Sequence, residues 1–324
     1  MRLGIYVDAR NPRAWRRPWR THYAETLEDV ERAENLGVQA VWLSEHHGFE
    51  DGYLSQPLTL AAAIAARTRL MRIGTAILLL PLRAVRHVAE QVALIDLISG
   101  GRVELGLGSG YLREEFAAFG AEHAQRFKAL EEGVRELREL WADPAVVPAP
   151  EQSPLPLWLG HNTPAGARRA GRLRTGLLSL ELDLVEPYVG ALEAAGGTRA
   201  EARMGGVVQG ILSRDPERAW AAVRPHLSAQ WDTYRAHSAR SEGRELPPPL
   251  DPEDWLHGRE GRPARFAVLT VEQLLERLSA YRDSPVSDVF FWLSIAGMPR
   301  ELVDEHLELL ASAVPHVAEW GGGP

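Results

Sequence analysis

Cysteine is absent from this chain of 324 residues, which excludes disulfides, thiolate metal sites and thiol nucleophiles. Long apolar runs are missing too. The most hydrophobic stretch, residues 76–82, is far shorter than the roughly 20 residues that cross a bilayer. The opening Met1-Arg2-Leu3-Gly4-Ile5-Tyr6-Val7 has neither the apolar core nor the cleavage site of a signal peptide. Positive charge is in deficit: the formal net charge of −8 argues against a nucleic-acid partner. No GxGxxG, HxH or HExxH is present, so neither a Rossmann fingerprint nor a recognisable zinc motif is on offer. These absences predict a cytoplasmic protein with no nucleic-acid, membrane or metal partner.

What is present is a rhythm. With 45% hydrophobic residues the chain can bury a large core. Strands are predicted at 3–7, 39–43, 72–79, 102–107, 156–159, 176–180, 205–212 and 288–293. Helical patterns fall at 21–36, 57–69, 85–98, 125–141, 164–172, 184–194, 216–236, 271–282 and 301–314. Gly37 stops the first helix in the manner of a C-cap. About eight βα units without a dinucleotide fingerprint predict an α/β fold, a TIM (β/α)8 barrel forming one domain over 1–324. One stretch breaks the rhythm: 239–264, ARSEGRELPPPLDPEDWLHGREGRPA, reads as an irregular insertion, either a lid or a solvated loop.

In a parallel barrel, strand C-terminal ends carry the chemistry. Glu45-His46-His47 follows the second strand directly. Neighbouring residues at a strand end point to opposite faces, so two adjacent histidines rarely bind one metal. His46 reads either as a hydrogen-bonded core histidine or as a catalytic one, since imidazole titrates near neutrality. Glu45 is a candidate to orient it. Gly74-Thr75-Ala76 and Gly106-Leu107-Gly108-Ser109-Gly110 mark two strand ends where a ligand can approach the main chain, although a tight strand exit explains the glycines equally. Arg126 opens a long helix and offers a guanidinium to a phosphate, or simply to solvent. Gly160-His161-Asn162-Thr163-Pro164 precedes another helix, where Asn162 and Thr163 either bind an anion or cap the helix. A loop rich in aromatics and arginine, 15–23, is a further candidate cover.

Taken together these segments resemble the bacterial luciferase-like flavin monooxygenases. The resemblance rests on ERAENLGVQAVWLSEHH, DGYLSQPLTLAAAIAARTRLMRIGTAILLLPL, AEQVALIDLISGGRVELGLGSGYLREEFAAFG, PLWLGHNTPAGARRAGRL and FAVLTVEQLLERL, in that order and at the family's spacing. It implies a TIM barrel with reduced FMN at the strand C-termini, dioxygen as co-substrate, and a flavin hydroperoxide that oxidises a small organic molecule. It also implies a partner flavin reductase and a homodimer. His46 inherits the family's catalytic histidine. Ala76-Ile77 takes the place of a non-prolyl cis peptide under the flavin ring, with Thr75 beside it. Gly108, Ser109 and Gly110 fall on the phosphate side. Arg126, Gly160, Asn162 and Thr163 fall in the phosphate-binding segments. Two positions depart: Ser109 stands where luciferase has an arginine, and Gly108 where it has a cysteine. Arg168 is a candidate to make up the lost charge. The departures leave room for the related branch that uses a deazaflavin for hydride transfer, and for a non-catalytic flavin-binding subunit.

Overall fold

A computed structural model describes residues 1–142, 146–258 and 264–320. The strands are β1 (Arg2–Val7), β2 (Ala40–Leu43), β3 (Arg72–Thr75), β4 (Leu78–Leu79), β5 (Val103–Gly108), β6 (Leu157–Gly160), β7 (Gly176–Leu178), β8 (Met204–Val208), β9 (Gly210–Leu212), β10 (Ala267–Leu269) and β11 (Val286–Trp292). The helices are α1 (Trp19–Leu36), α2 (Pro57–Arg67), α3 (Val85–Ser99), α4 (Arg113–Ala118), α5 (Arg126–Ala142), α6 (Pro164–Arg172), α7 (Val185–Ala194), α8 (Pro216–Ser241), α9 (Pro252–His257), α10 (Val271–Ser279) and α11 (Arg300–Val317). The order β3-β2-β1-β11-β8-β7-β6-β5, with β5 also paired to β3, closes a parallel barrel ringed by helices. The expected TIM barrel is therefore the fold. Among the described residues, no helix is long and apolar enough to cross a membrane.

Local signals explain many boundaries. Gly37 ends α1 at φ 103°, in the left-handed region where glycine costs least. Asp215 caps α8 by accepting from the Arg218 amide, and Pro216 supplies the preset φ of a first helical residue. Thr270 and Gln273 form a reciprocal capping box that starts α10.

Three expectations need correction. The strand expected at 72–79 is interrupted: the Ala76-Ile77 peptide is cis, and β4 resumes beyond it. The strand expected at 205–212 splits. Its first part, β8, belongs to the barrel, while β9 turns away to pair with β10. The segment 239–264 is not irregular throughout. α8 runs on to Ser241, and α9 folds Trp255 back onto Trp231 at 4.2 Å between ring centroids. Within that segment, 259–263 lie outside the described residues.

The barrel interior is layered. At the N-terminal ends of the strands, Glu104 accepts from Arg2, Arg72 and the Trp158 indole at 2.8–3.0 Å, and Arg2 also reaches Asp288. Burial pushes the Glu104 carboxyl up, but Arg2 and Arg72 outweigh burial and hold it below the usual range. Asp288 is raised, because burial and the nearby Glu104 outweigh Arg2. Above this ionic floor sit Trp42, Trp158 and Phe290, with Trp42 stacked on Phe290 at 5.1 Å and edge-on to Trp158 at 5.7 Å. These indoles account for two strand glycines. A Cβ at Gly74 lies 2.3 Å from the Trp42 ring, and one at Gly176 lies 2.3 Å from the Trp158 ring.

Candidate active site

Above the indoles, at the C-terminal ends of the strands, opens a cavity of about 710 Å³, well within the range of small-molecule sites. His46, Ala76, Ile77, Gly108, Ser109, Gly110, Arg126, Gly160, Asn162 and Thr163 all line it. Thr75 does not. Its hydroxyl is buried between strands, donating to the Gly106 carbonyl at 2.6 Å and accepting from the Gly106 amide at 3.0 Å.

The glycine-marked ends serve a purpose other than open approach of a ligand to the backbone. A Cβ at Gly108 falls 1.9 Å from Ile77 Cδ1, and one at Gly160 falls 2.6 Å from Ile77 Cγ2. The absent side chains accommodate Ile77, whose side chain forms part of the cavity wall. Gly110, at φ 69°, supplies the left-handed turn that carries the chain out of β5.

His46 leaves β2 with Nδ1 2.9 Å from Glu115 Oε1, and the same oxygen accepts from the His47 amide at 2.9 Å. Facing a carboxylate, Nδ1 is the protonated nitrogen. The other ring nitrogen, Nε2, makes no hydrogen bond among the described residues. Rings of Phe49, Tyr53, Tyr111 and Tyr234 surround the imidazole at 4.8–5.8 Å between centroids. Glu45 does not orient His46. It holds His47 Nε2 at 2.7 Å, Arg83 at 2.6 Å and the Leu79 amide at 2.8 Å, bracing the turn beyond the cis peptide.

The opposite end of the cavity is cationic. Arg126 stacks over Phe127 at 4.4 Å and donates to the His123 carbonyl at 3.0 Å, while its Nε is buried without a partner. Arg169 also lines the cavity, stacked over Phe127 at 4.6 Å and paired with Glu131 at 2.7 Å. Arg168, the residue expected to add charge, is exposed on the outer face of α6. His161 carries a buried, unpartnered Nε2, and burial, with Arg169 adding to it, pushes its pKa down to about 4. It is neutral at pH 7. Thr163 caps α6 by accepting from the Gly166 amide at 3.2 Å. Among the described residues no cluster of three His, Asp or Glu can hold a metal.

A closed parallel barrel, a non-prolyl cis peptide in the cavity wall and a carboxylate-held histidine at the mouth define a class. The chain belongs to the luciferase-like monooxygenase family, whose model matches residues 1–288. It is 26% identical over 315 residues to the 4-hydroxyprotoasukamycin monooxygenase of Streptomyces nodosus subsp. asukaensis, covering 92% of this chain and 77% of that one. It is 33% identical over 246 residues to the F420-dependent glucose-6-phosphate dehydrogenase of Amycolatopsis mediterranei, covering 67% and 74%. A crystal structure of a monooxygenase from Streptomyces bottropensis superposes with a TM-score of 0.79 at 25% identity, over 98% of this chain and 99% of that one.

Proposed function

We propose that this protein is a flavin-dependent monooxygenase that takes reduced FMN and dioxygen and oxidises a small organic molecule. The observation that carries the reading is the polarity of the cavity at the strand C-termini. A cationic end holding Arg126, Arg169 and the unpartnered His161 Nε2 faces an apolar slot of Ala76, Ile77, Leu178 and Val207, with His46 at the mouth. That arrangement fits a planar ring carrying a terminal phosphate. Arg126 and Arg169 would bind the phosphate, assisted by His161, Ser109 and Thr163. Ala76 and Ile77 would support the ring.

When bound, reduced flavin supplies the two electrons that activate dioxygen for transfer of one oxygen atom to the substrate. The remaining work falls to the chain. His46 Nε2 accepts or returns a proton at the mouth, and Glu115 offsets the positive charge on the ring while it does so. The aromatic rings and the α8–α9 cover exclude water. A separate reductase supplies the reduced cofactor, and the dimer belongs to the same reading.

The relationship to an F420-dependent dehydrogenase favours a second reading, in which a deazaflavin delivers hydride without oxygen. Titration of the purified chain with FMN and with F420, in parallel with oxygen consumption under a flavin reductase, separates the two. The expected outcome is FMN binding and substrate-dependent oxygen uptake. Submicromolar binding of F420 with none of FMN overturns the first reading.

A further inference from the structure

The cavity at the strand C-termini has a side that a phosphate site leaves unused. Round the closed barrel, β11 stands opposite β5 and β1 stands opposite β6. Arg126 follows β5 and Arg169 follows β6, so the cationic end faces a wall made by β8, β11 and β1. Those three strands give the cavity Gly206, Val207, Phe290 and Tyr6, and of these Tyr6 alone has a polar side chain.

Tyr6 keeps accessible surface although it sits inside the barrel, and its ring stacks on Phe290 at 6.0 Å. The neighbours of its hydroxyl are hydroxyls themselves. One is Tyr53 at 3.4 Å; the other is Ser44, whose own proton goes to the Val7 carbonyl at 3.2 Å. A hydroxyl accepts as well as donates, so with Tyr53 donating, the Tyr6 proton is free to turn to an oxygen in the cavity. Burial pushes the Tyr6 phenol up to about 12, which keeps that proton in place at neutral pH. Tyr53 also meets the His46 ring edge-on at 4.8 Å, so the phenol and the imidazole share one neighbour.

Charge on this side is already matched. Glu45 is held by Arg83 at 2.6 Å and by His47, and His46 faces Glu115. Behind the wall, Arg10 is paired with Asp51 at 2.7 Å. Asp8, raised to about 6 by burial, lines a separate cavity of about 40 Å³ behind Tyr6. Arg126 and Arg169 lie across the barrel. Among the described residues, an ion set against Val207 and Phe290 therefore finds no free counter-charge, while its desolvation is costly.

We infer that Tyr6 is the substrate-selecting residue, donating a hydrogen bond to the oxygen of a neutral, otherwise apolar molecule that lies against Val207 and Phe290 beside His46. Carboxylates, sulfonates and ammonium compounds are refused. The inference deepens the proposed function, and rests on it in taking the cationic end as filled by the cofactor phosphate.

The test is binding to the whole chain saturated with oxidised FMN, followed by saturation-transfer NMR, so no turnover is needed. Three probes share one body and differ in the head: cyclohexanone, cyclohexanecarboxylate and cyclohexylammonium. Cyclohexanone is expected to bind about tenfold or more tighter than either ion. Its carbonyl carbon, labelled with carbon-13, is expected to shift downfield on binding, as a donated hydrogen bond requires. Tyr6→Phe keeps the ring and removes the donor. It is expected to weaken cyclohexanone about three- to tenfold and to abolish the downfield shift, with FMN affinity unchanged as the certificate of fold. Equal or tighter binding of either ion overturns the inference, as does failure of cyclohexanone to bind. Absence of the downfield shift in the unsubstituted chain overturns it without recourse to the variant, and so does indifference of cyclohexanone to Tyr6→Phe. Failure of the unsubstituted chain to bind FMN instead sinks the proposed function, so the two failures are distinguishable.

Discussion

At the N-terminal end of the barrel, Glu104 is held by Arg2, Arg72 and Trp158, and Asp288 by Arg2, so every buried charge there has an opposite one in reach. At the other end, Arg126 Nε, His161 Nε2 and the indole nitrogens of Trp231 and Trp292 are buried with no partner. Both ends are polar, and both lie within one continuous barrel. The floor pairs its charges with one another, the Trp42 indole above it being left without an acceptor, whereas the mouth leaves several groups uncommitted. Buried polar groups without partners are costly, so their concentration at the strand C-termini marks the end built to receive something.

Five substitutions put that contrast at risk. The largest effect is expected at the mouth. His46→Ala should lower turnover by about 10²–10⁴-fold, the range for loss of a general acid–base, with FMN affinity nearly intact. Unchanged substrate-dependent oxygen uptake would remove His46 from the chemistry.

At the floor, Glu104→Ala should cost about 1–3 kcal/mol of unfolding free energy, because it leaves the buried Trp158 indole without its acceptor and takes a carboxylate from the half-buried Arg2 and Arg72, and should leave FMN affinity alone. Chemical denaturation followed by intrinsic fluorescence measures it. The pH dependence has a definite sign. The folded carboxyl is held below its usual range, so its stabilisation is complete above the ordinary glutamate range and drains away as pH falls below it. Glu104→Gln should flatten that acid limb. Asp288, raised by burial, works in the opposite sense and offsets part of it.

Glu115→Gln should reduce kcat about 10²-fold by removing the carboxylate charge that offsets a cationic His46 ring, while FMN binding persists. The accompanying sign of positioning is a displaced pH–rate profile, which mere loosening of α4 does not produce. The smallest effect is expected at Arg126→Met, which should weaken FMN by about 1–3 kcal/mol, read by titration. If Arg126→Met instead destabilised the fold as strongly as Glu104→Ala, the division between a self-satisfied floor and an uncommitted mouth would collapse.

Much of this was legible in the residues. The alternation of apolar runs with amphipathic stretches specifies the barrel, and the position of Glu45-His46-His47 after a strand specifies the mouth. What escaped had physical reasons. Glu115 lies 69 residues from His46, on a helix of six residues that has no periodic signature. Arg168 and Arg169 are neighbours on α6, and only the 100° turn between successive helical residues decides that the second faces the cavity. Gly74 and Gly108 look like room for a ligand, yet the room is filled by Trp42 and Ile77, a fact of long-range packing. Proline and glycine in the late segment mask the fact that it folds back through Trp255 onto α8.

The clasp between β9 and β10 has a consequence for how such a barrel can diversify. Gly210 is registered with Ala267 and Leu212 with Leu269, so the excursion through α8 and α9 leaves and returns at adjacent points. Its contour length is thereby decoupled from closure of the barrel, and lengthening it costs only the slow logarithmic entropy of a longer loop. The helices that lie over the mouth are carried on a detachable cassette, while the floor that keeps the barrel closed is not.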